Sequence, residues 1–386
     1  MTMPGKTCNL CDTELGGPVY HSESAQSLTS LCELHPGSTL VWFCTHCGHI
    51  LGNAIEDTQK YYATEYRILL DHEEEDQIYE VIGGQIVYRI DHQIRVLNNK
   101  LSLRSGMKLL DYGCAKAAMS KRLKSEIPGL ELHFFDVSEM YVEFWEKISP
   151  RQNHAVYEAP HDWEERFDVI TSYFSFEHIP DPLFSASHVA SMLKDDGVFY
   201  AIVPDTFGNK ADFIVVDHVN HFTRASIIYL LQKAGFCVVD VDRNSHRGAL
   251  VVVARKIGVR TLMPCITTLQ QEVGELADYW RKAGKYIQSA QAELEAPFAV
   301  YGSGFYGAFI YSQLDKHSDI KYFLDQNPFQ QGKNLFGIPV ISPGALTADV
   351  KTLFVGLNPQ NARDVMMSQS ACNRPDLNLV FLDMSV

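Results

Sequence analysis

An α/β architecture on a mostly parallel sheet is predicted by three features of this sequence. Residues 107–123, MKLLDYGCAKAAMSKRL, read as an apolar strand that stops at Asp111, a Gly/Ala-rich turn and an amphipathic helix. Between 130 and 253, strand-like apolar runs alternate with helical stretches, the pattern of parallel strands joined by crossover helices. A second strand–turn–helix comes late, where Phe298-Ala299-Val300-Tyr301 runs into the G-x-G-x-x-G of Gly302, Gly304 and Gly307.

The chain has 386 residues, room for two or three domains. With 46% hydrophobic and 21% charged residues it can bury real cores and is not a disordered chain. The formal net charge of −14 argues against sequence-independent nucleic-acid binding, which needs a basic footprint. No apolar run is long enough to cross a membrane, and the opening MTMPGKTCNLC lacks the apolar core of a signal peptide. The expectation is therefore a cytoplasmic protein with neither a membrane nor a nucleic-acid partner.

Five of the nine cysteines fall within the first 47 residues, which in a cytosolic protein suggests metal rather than disulfides. Cys8-x-x-Cys11 and Cys44-x-x-Cys47 each present two thiolates from a tight turn, and two such turns close a tetrahedron around zinc. Cys32 and the histidines His21, His35, His46 and His49 lie nearby as substitutes, but the paired cysteines are the simplest set. Four protein ligands leave no open position, so this zinc would be structural. Cys114, Cys237, Cys265 and Cys372 are scattered and read as packing residues.

Residues 55–100 are expected to be helical, because Ile78, Val81, Ile82, Gln85, Ile86, Ile90 and Ile94 fall mostly on one face at a period of 3.6. Tyr61, Tyr62 and Tyr66 precede them and are read as packing rather than as a cofactor cover. After the 107–123 turn, Leu130–Phe135 is a strand ending at Asp136, where an acid can accept both ribose hydroxyls of a nucleoside. Small residues in the turn let a ligand approach the backbone, and the first helical N–H groups point at it. Ser138 caps a helix through Trp145. Phe167–Ser172 is a buried strand that leads into Phe176-Glu177-His178-Ile179-Pro180-Asp181-Pro182. Asp181 and Pro182 start a helix that ends near Leu193, and a turn at Asp195–Gly197 precedes the strand Val198–Val203.

Asp217, His218, Asn220 and His221 are expected in a loop between sheet and helix, where open α/β sheets place their chemistry. Histidine suits a base near neutral pH. The H-x-x-H spacing also suits a second metal, which ranks below the base. Thr223 caps a helix that Gly235 ends, and the strands Cys237–Val241 and Gly248–Val253 follow. A connector helix is expected over 259–294 from Leu269, Val273, Leu276, Tyr279 and Trp280. The late G-x-G-x-x-G, with Asp325 at roughly the 20-residue spacing of a ribose-binding acid, reads by itself as an NAD site. The remaining chain is short for a complete dehydrogenase. The expected divisions are 1–55, a zinc-binding module, 56–258, the catalytic domain, and 259–386, connector and C-terminal domain.

The turn D-x-G-x-x-x-A resembles motif I of the class I S-adenosylmethionine (SAM) methyltransferases, with Ala117 in place of the motif's last Gly. The order C-x-x-C pairs, DYGCAKA, FDVITSYFSFEHIPDP, LKDDGVFYAIVP, DHVNHFT and HRGALVVVARK resembles the SAM-dependent sugar C-methyltransferases of deoxysugar biosynthesis. That resemblance implies a zinc-binding N-terminal module, a class I Rossmann-like core, and a C-terminal Rossmann-like domain that helps enclose a nucleotide-sugar substrate. It implies SAM as cofactor, held by Asp111, Gly113, Ala115 and Asp136. It places His221 on the family's general base and His218 on a tyrosine that steadies an enolate. Asp217 and His178 follow as orienting or substrate-contacting residues. The family's Asn-Asp pair in motif I is replaced by Ala115-Lys116. The expected reaction is C-methylation of a nucleotide-linked keto-deoxysugar. The alternatives are O-methylation of a sugar or other small metabolite, an NAD-dependent oxidoreductase using the C-terminal G-x-G-x-x-G, and a non-catalytic SAM-binding homologue.

Overall fold

The computed structural model describes residues 6–56, 60–62, 76–83, 85–257 and 266–384. The chain divides into two compact units. One comprises Met1–Val19, Val41–Phe213 and Asp217–Gln271; the other comprises Tyr20–Leu40, Ile214–Val216 and Glu272–Val386. This differs from three consecutive blocks. The four paired cysteines belong to the first unit, while the segment between them belongs to the second. The reason is strand pairing. Leu40–Phe43 pairs with Ile50–Gly52, and Ile50 and Leu51 pair in turn with His221 and Asn220. Leu28 instead bridges Val215 within the second unit.

The first unit is organised by a seven-stranded sheet. Its strands are β1 (Lys108–Tyr112), β2 (Glu131–Asp136), β3 (His154–Val156), β4 (Phe167–Tyr173), β5 (Leu193–Pro204), β6 (Cys237–Asp242) and β7 (Ala249–Arg255). Their spatial order is β3-β2-β1-β4-β5-β7-β6. All pairs are parallel except those made by β7, which runs antiparallel to β5 and β6. Leu109, Leu110, Leu132 and Phe134 are at most 1% exposed, which explains why these strands read as unbroken apolar runs: helices cover both faces. The order of connection reverses between β1 and β4, so the C-terminal ends of β1, β2 and β4 open a crevice there.

The helices of this unit are α1 (Arg89–Lys100), α2 (Ala118–Glu126), α3 (Val142–Glu146), α4 (Pro182–Met192) and α5 (Arg224–Lys233). Asp181 caps α4 through the Phe184 N–H, with Pro182 in the first turn. Thr223 and Ser226 form a capping box on α5, and Gly235 ends it at φ = +93°. Ser138 caps only a 3-10 turn, Glu139–Tyr141, that leads into the short α3.

Three expectations are corrected. The apolar period over 78–88 belongs to a hairpin, Ile78–Ile82 with Gln85–Tyr88, and of these apolar positions only Ile90 and Ile94 lie in a helix, α1. Ile82 and Ile86 are 56% and 39% exposed, so their helical spacing does not mark a buried face. The Gly83-Gly84 pair, a turn signal, outweighs the period. Asp195–Gly197 is absorbed into β5 rather than preceding it. Asn220 and His221 lie in a strand, not in an open loop. Tyr66 and Cys265 fall outside the described residues.

The second unit holds a six-stranded sheet. Its strands are β8 (Phe298–Tyr301), β9 (Ile320–Leu324), β10 (Asn334–Leu335), β11 (Ile338–Ile341), β12 (Thr352–Val355) and β13 (Asn378–Phe381), in the order β10-β11-β9-β8-β12-β13. Only β10 is antiparallel to its neighbour. Helix α6 (Thr267–Glu293) connects the units and buries Val273, Leu276, Trp280 and Ile287. Trp280 meets Phe309 of α7 (Phe305–Gln313) edge-on at 4.7 Å between ring centres. Among the described residues no helix is long and apolar enough to cross a membrane.

The turn between β1 and α2 stores backbone strain. Ala115 and Ala117 take φ values of +45° and +56°, a region that costs an L-residue about 1–2 kcal/mol. Gly113 sits at φ = +71°, and a Cβ there would collide with the Ser175 hydroxyl. Glycine at 113 is thus demanded by Ser175 as well as by any ligand. Ala117→Gly should raise the melting midpoint, the relieved strain exceeding the entropy that glycine loses, whereas Gly113→Ala should lower it. Calorimetric melts showing the opposite order would refute this origin of the strain.

Candidate functional site

The crevice between β1 and β4 deepens into a cavity of about 1130 Å³. Asp111, Gly113, Ala115 and Asp136 all line it, and so does His178. Asp136 ends β2 and reaches back to the turn after β1. Its Oδ2 accepts the Ala115 N–H at 2.8 Å and its Oδ1 accepts the Ser138 N–H at 3.1 Å. The Val137 N–H is a third donor to this carboxylate, which leaves acceptor capacity for a ribose hydroxyl. Burial pushes the Asp136 carboxyl up to about 6, against the pull of those N–H bonds. Asp111 is also buried, and burial pushes it up to about 7 although Ser120 Oγ donates to it at 2.7 Å. The Trp145 indole holds the turn from behind by donating to the Ala115 carbonyl at 2.6 Å. Aromatic rings border the cavity: Tyr112 stacks on Phe135 at 4.7 Å, and Phe184 stacks on His188 at 6.1 Å.

A polar cluster adjoins the cavity through His178. The Tyr62 hydroxyl donates to the Asp217 carbonyl at 2.7 Å and lies 2.8 Å from His178 Nδ1. His178 Nδ1 is itself 3.0 Å from that carbonyl. Two acceptors around Nδ1 assign the ring proton to that nitrogen. Burial, then the neighbouring charge of His218, lower His178 to about 4, so it is neutral. His218 packs edge-on against His178 at 4.7 Å between ring centres. His218 Nδ1 donates to Asp212 Oδ1 at 2.7 Å. Burial opposes its charge, but that bond and the charges of Asp212, Asp217 and Glu177 raise it to about 9. Asp212 is buried too, yet the two histidine rings beside it outweigh the burial and hold it well below the usual carboxylate range. Burial pushes the neighbouring Glu177 up to about 8.

His221 is placed differently. It is fully buried, its Nδ1 lies 3.4 Å from Asp212 Oδ2, and its Nε2 would lie 3.1 Å from a Cβ on Gly52, behind the nearer His218 carbonyl at 2.7 Å. It does not line the cavity. The structure therefore brings His178 to the cavity wall, sets His218 and Asp217 directly behind it, and encloses His221 deeper. Asp212 and Glu177 carry no assignment from the sequence. Glu177 stands inside the FEHIPDP motif, whereas nothing around Asp212 in NKADF signals a buried anchor. Tyr62 lies in the aromatic cluster read as packing; its hydrogen bonds give it a place beside the site.

The four paired cysteines converge. Cys8 and Cys47 Sγ are 3.6 Å apart, Cys11 and Cys44 Sγ are 3.5 Å apart, and all four lie within 4.8 Å of one another. Zn–S bonds of ~2.3 Å in a tetrahedron set edges of about 3.8 Å, so this donor set fits that ion. Asn220 joins the module to the site. It donates to the Phe176 and Ile179 carbonyls at 2.9 and 2.7 Å and accepts from Asn9 at 2.7 Å.

The second glycine-rich turn repeats the Asp136 arrangement with one change. Asp325 Oδ2 accepts the Ser303 N–H at 2.9 Å, and its Oδ1 accepts the Asn327 N–H at 2.8 Å. The Ser303 hydroxyl also donates to Oδ2, at 2.6 Å. A hydroxyl of the chain itself thus sits where a ribose hydroxyl would, and only one lone pair of the carboxylate is left.

Residues 86–241 match a family model described as a methyltransferase domain. The match covers the central part of this chain, whose sheet has the class I SAM-methyltransferase, Rossmann-like α/β fold. The strand order with its single antiparallel β7, the strained turn after β1 and the acid at the end of β2 agree with it. The chain is 27% identical over 192 residues to the C-methyltransferase NovU of Streptomyces niveus, covering 44% of this chain and 46% of that protein. It is 24% identical over 197 residues to cyclopropane mycolic acid synthase 3 of Mycobacterium tuberculosis, covering 48% and 64%. The chain thus spans about half to two-thirds of the length of these curated relatives. Among solved structures, a sarcosine dimethylglycine methyltransferase from Galdieria sulphuraria is similar with a TM-score of 0.40 at 14% identity, covering 48% of this chain and 94% of that one. The [4+2]-cyclase SpnF is similar with a TM-score of 0.39 at 13% identity, covering 48% and 88%.

The Asp136 carboxyl should govern cofactor affinity. The form that accepts ribose hydroxyls is the carboxylate, and its pKa is raised to about 6. Affinity for SAM should therefore be complete above that value and fall about tenfold per pH unit below it. A buried charged hydrogen bond contributes roughly 1.5–3 kcal/mol, so Asp136→Ala should bind about ten- to a hundred-fold more weakly and lose the step. Calorimetric titrations from acid to alkaline pH test both; an unchanged mutant affinity would exclude this residue from the ribose site.

Proposed function

We propose that this protein transfers a methyl group from SAM to a carbon of a nucleotide-linked keto-deoxysugar. One observation carries the reading: Tyr62 and His178 line the cavity that also holds Asp136, and His218 and Asp212 stand behind them. SAM, when bound, supplies a methyl group on a sulfonium leaving group. The turn Asp111–Ala117 and Asp136 would hold the nucleoside end, and the buried wall keeps water from the methyl. The chain's task at the acceptor is to place the attacking carbon about 3 Å from that methyl and in line with it. At a keto acceptor the C–H proton beside the carbonyl must also leave, and the enolate oxygen must be held. The cluster supplies hydrogen-bond donors and ionisable nitrogens for that work. The resemblance of the motif order to sugar C-methyltransferases supports a sugar as the acceptor class, and the likeness to the C-methyltransferase NovU supports carbon as the methylated atom.

Cys8, Cys11, Cys44 and Cys47 would hold a structural zinc. Its contribution is to fold a segment too small for its own core and to seat Asn9 against Asn220. The NAD reading has less support, because the Ser303 hydroxyl occupies the position of a ribose hydroxyl on Asp325.

Freshly purified protein should carry one zinc per chain, and replacing Cys8 and Cys44 together should remove it; metal analysis without zinc would overturn this assignment. For the reaction, formation of S-adenosylhomocysteine with keto-sugar nucleotides is the assay. His178→Ala and His218→Ala should each reduce turnover by about 10²–10⁴-fold while SAM affinity stays nearly intact. His221→Ala should act first on the melting midpoint, since its ring fills a closed space against Gly52. If His221→Ala instead abolishes turnover in a protein as stable as wild type, the enclosed histidine is the base, and His178 and His218 only support it. Wild-type enzyme should also exchange the proton beside the ketone with heavy water.

A further inference from the structure

We propose that Glu177, His178 and His218 form a second metal site, for one divalent transition-metal cation, separate from the four-cysteine cluster. A carboxylate oxygen of Glu177 and one ring nitrogen of each histidine lie within 4.8 Å of one another. Glu177 is 1% exposed, and its buried Oε2 meets no hydrogen-bond donor among the described residues. An unsatisfied buried carboxylate oxygen is costly, and a cation seated against it removes the cost.

The surroundings of the two histidines fit the same conclusion. A metal-bound imidazole donates its other N–H to a carboxylate or a backbone carbonyl, which orients the ring. His218 Nδ1 has the carboxylate of Asp212 at 2.7 Å, and Asp212 is steadied by the Thr206 hydroxyl at 2.7 Å. His178 Nδ1 has the Asp217 carbonyl at 3.0 Å and the Tyr62 hydroxyl at 2.8 Å. Each histidine offers one ring nitrogen to the shared site. Two imidazoles and one carboxylate select a borderline ion such as Fe²⁺, Co²⁺, Ni²⁺ or Zn²⁺ over Mg²⁺ or Ca²⁺, and leave coordination positions for a substrate oxygen. His178 reaches the cavity wall, so those positions are within reach of a bound acceptor. The two negative carboxylates, Glu177 and Asp212, balance the charge of the cation.

Binding of the cation stands apart from the proposed methyl transfer. Its role rests on that reading: the cation would hold the acceptor's carbonyl oxygen, the part of the cluster's work that steadies the enolate.

Full-length protein, first loaded with zinc to one equivalent per chain, is titrated with Co²⁺ and followed by visible absorption, with zinc content monitored throughout. Wild type should take up one further equivalent. Glu177→Gln should abolish that uptake. Asp212→Asn should weaken it roughly ten- to a hundred-fold, because it removes the carboxylate that orients His218. His178→Asn, at the cavity wall, carries the test if Glu177→Gln does not fold. No further equivalent in folded wild type, or unchanged Co²⁺ uptake in Glu177→Gln or, should that variant not fold, in His178→Asn, would overturn the proposal. A lack of S-adenosylhomocysteine formation would instead count against the methyl-transfer reading and leave the Co²⁺ result standing.

Discussion

The carboxylate of Asp136 is the constraint on which the site depends. A parallel sheet delivers its strand ends to one edge but leaves the loops there without partners of their own. Asp136 joins two of them, taking the Ala115 N–H from the turn after β1 and the Ser138 N–H from the segment after β2. This holds the turn in a conformation where two alanines sit at positive φ, while Asp136 itself lines the cavity. Strain in the turn and charge in the carboxylate are thus maintained by the same two hydrogen bonds. Burial raises the carboxyl to about 6, so the latch is strongest once a ligand adds donors of its own.

A second buried carboxylate plays the corresponding part beside the cavity. Asp212 takes hydrogen bonds from His218 and Thr206 and lies close to His221. Without it two buried imidazoles would face one another with no charge to compensate a proton on either. Asn220 ties this region to the cysteine module through Asn9, and to the FEHIPDP loop through the Phe176 and Ile179 carbonyls. The thiolate turns and the histidine cluster are therefore parts of one packed unit. The four-cysteine cluster is thus coupled to the cavity wall through these few bonds.

The two glycine-rich turns show how little separates an open nucleoside site from a closed one. In both, an acid ending the second strand accepts an N–H from the turn after the first strand and another from two residues further along the chain. Ala115 offers only its backbone, whereas Ser303 adds a hydroxyl that fills the carboxylate of Asp325. Gly307 is required there for packing, since a Cβ would collide with the Gly302 carbonyl. The G-x-G-x-x-G pattern is thus accounted for by the close approach of helix and strand.

The sequence by itself determined the alternation of strands and helices, the cysteine pairs and the strand ends that carry Asp111, Gly113, Ala115 and Asp136. Those features are local: apolar runs, capping residues such as Asp181 and Thr223, and small residues in a turn act within a few positions of themselves. The period over 78–88 misled because hairpin and helix can share an apolar spacing; the exposure of Ile82 and Ile86 and the Gly83-Gly84 turn signal separate them. The tertiary structure alone decided which histidine reaches the cavity. His178, His218 and His221 are equally polar in the chain, and their exposure depends on Asp212, Gly52 and Tyr62, residues distant in sequence or without any local signal. It also decided that residues 20–40 leave the cysteine module, because strand partners are chosen by packing across the whole chain rather than by neighbours along it.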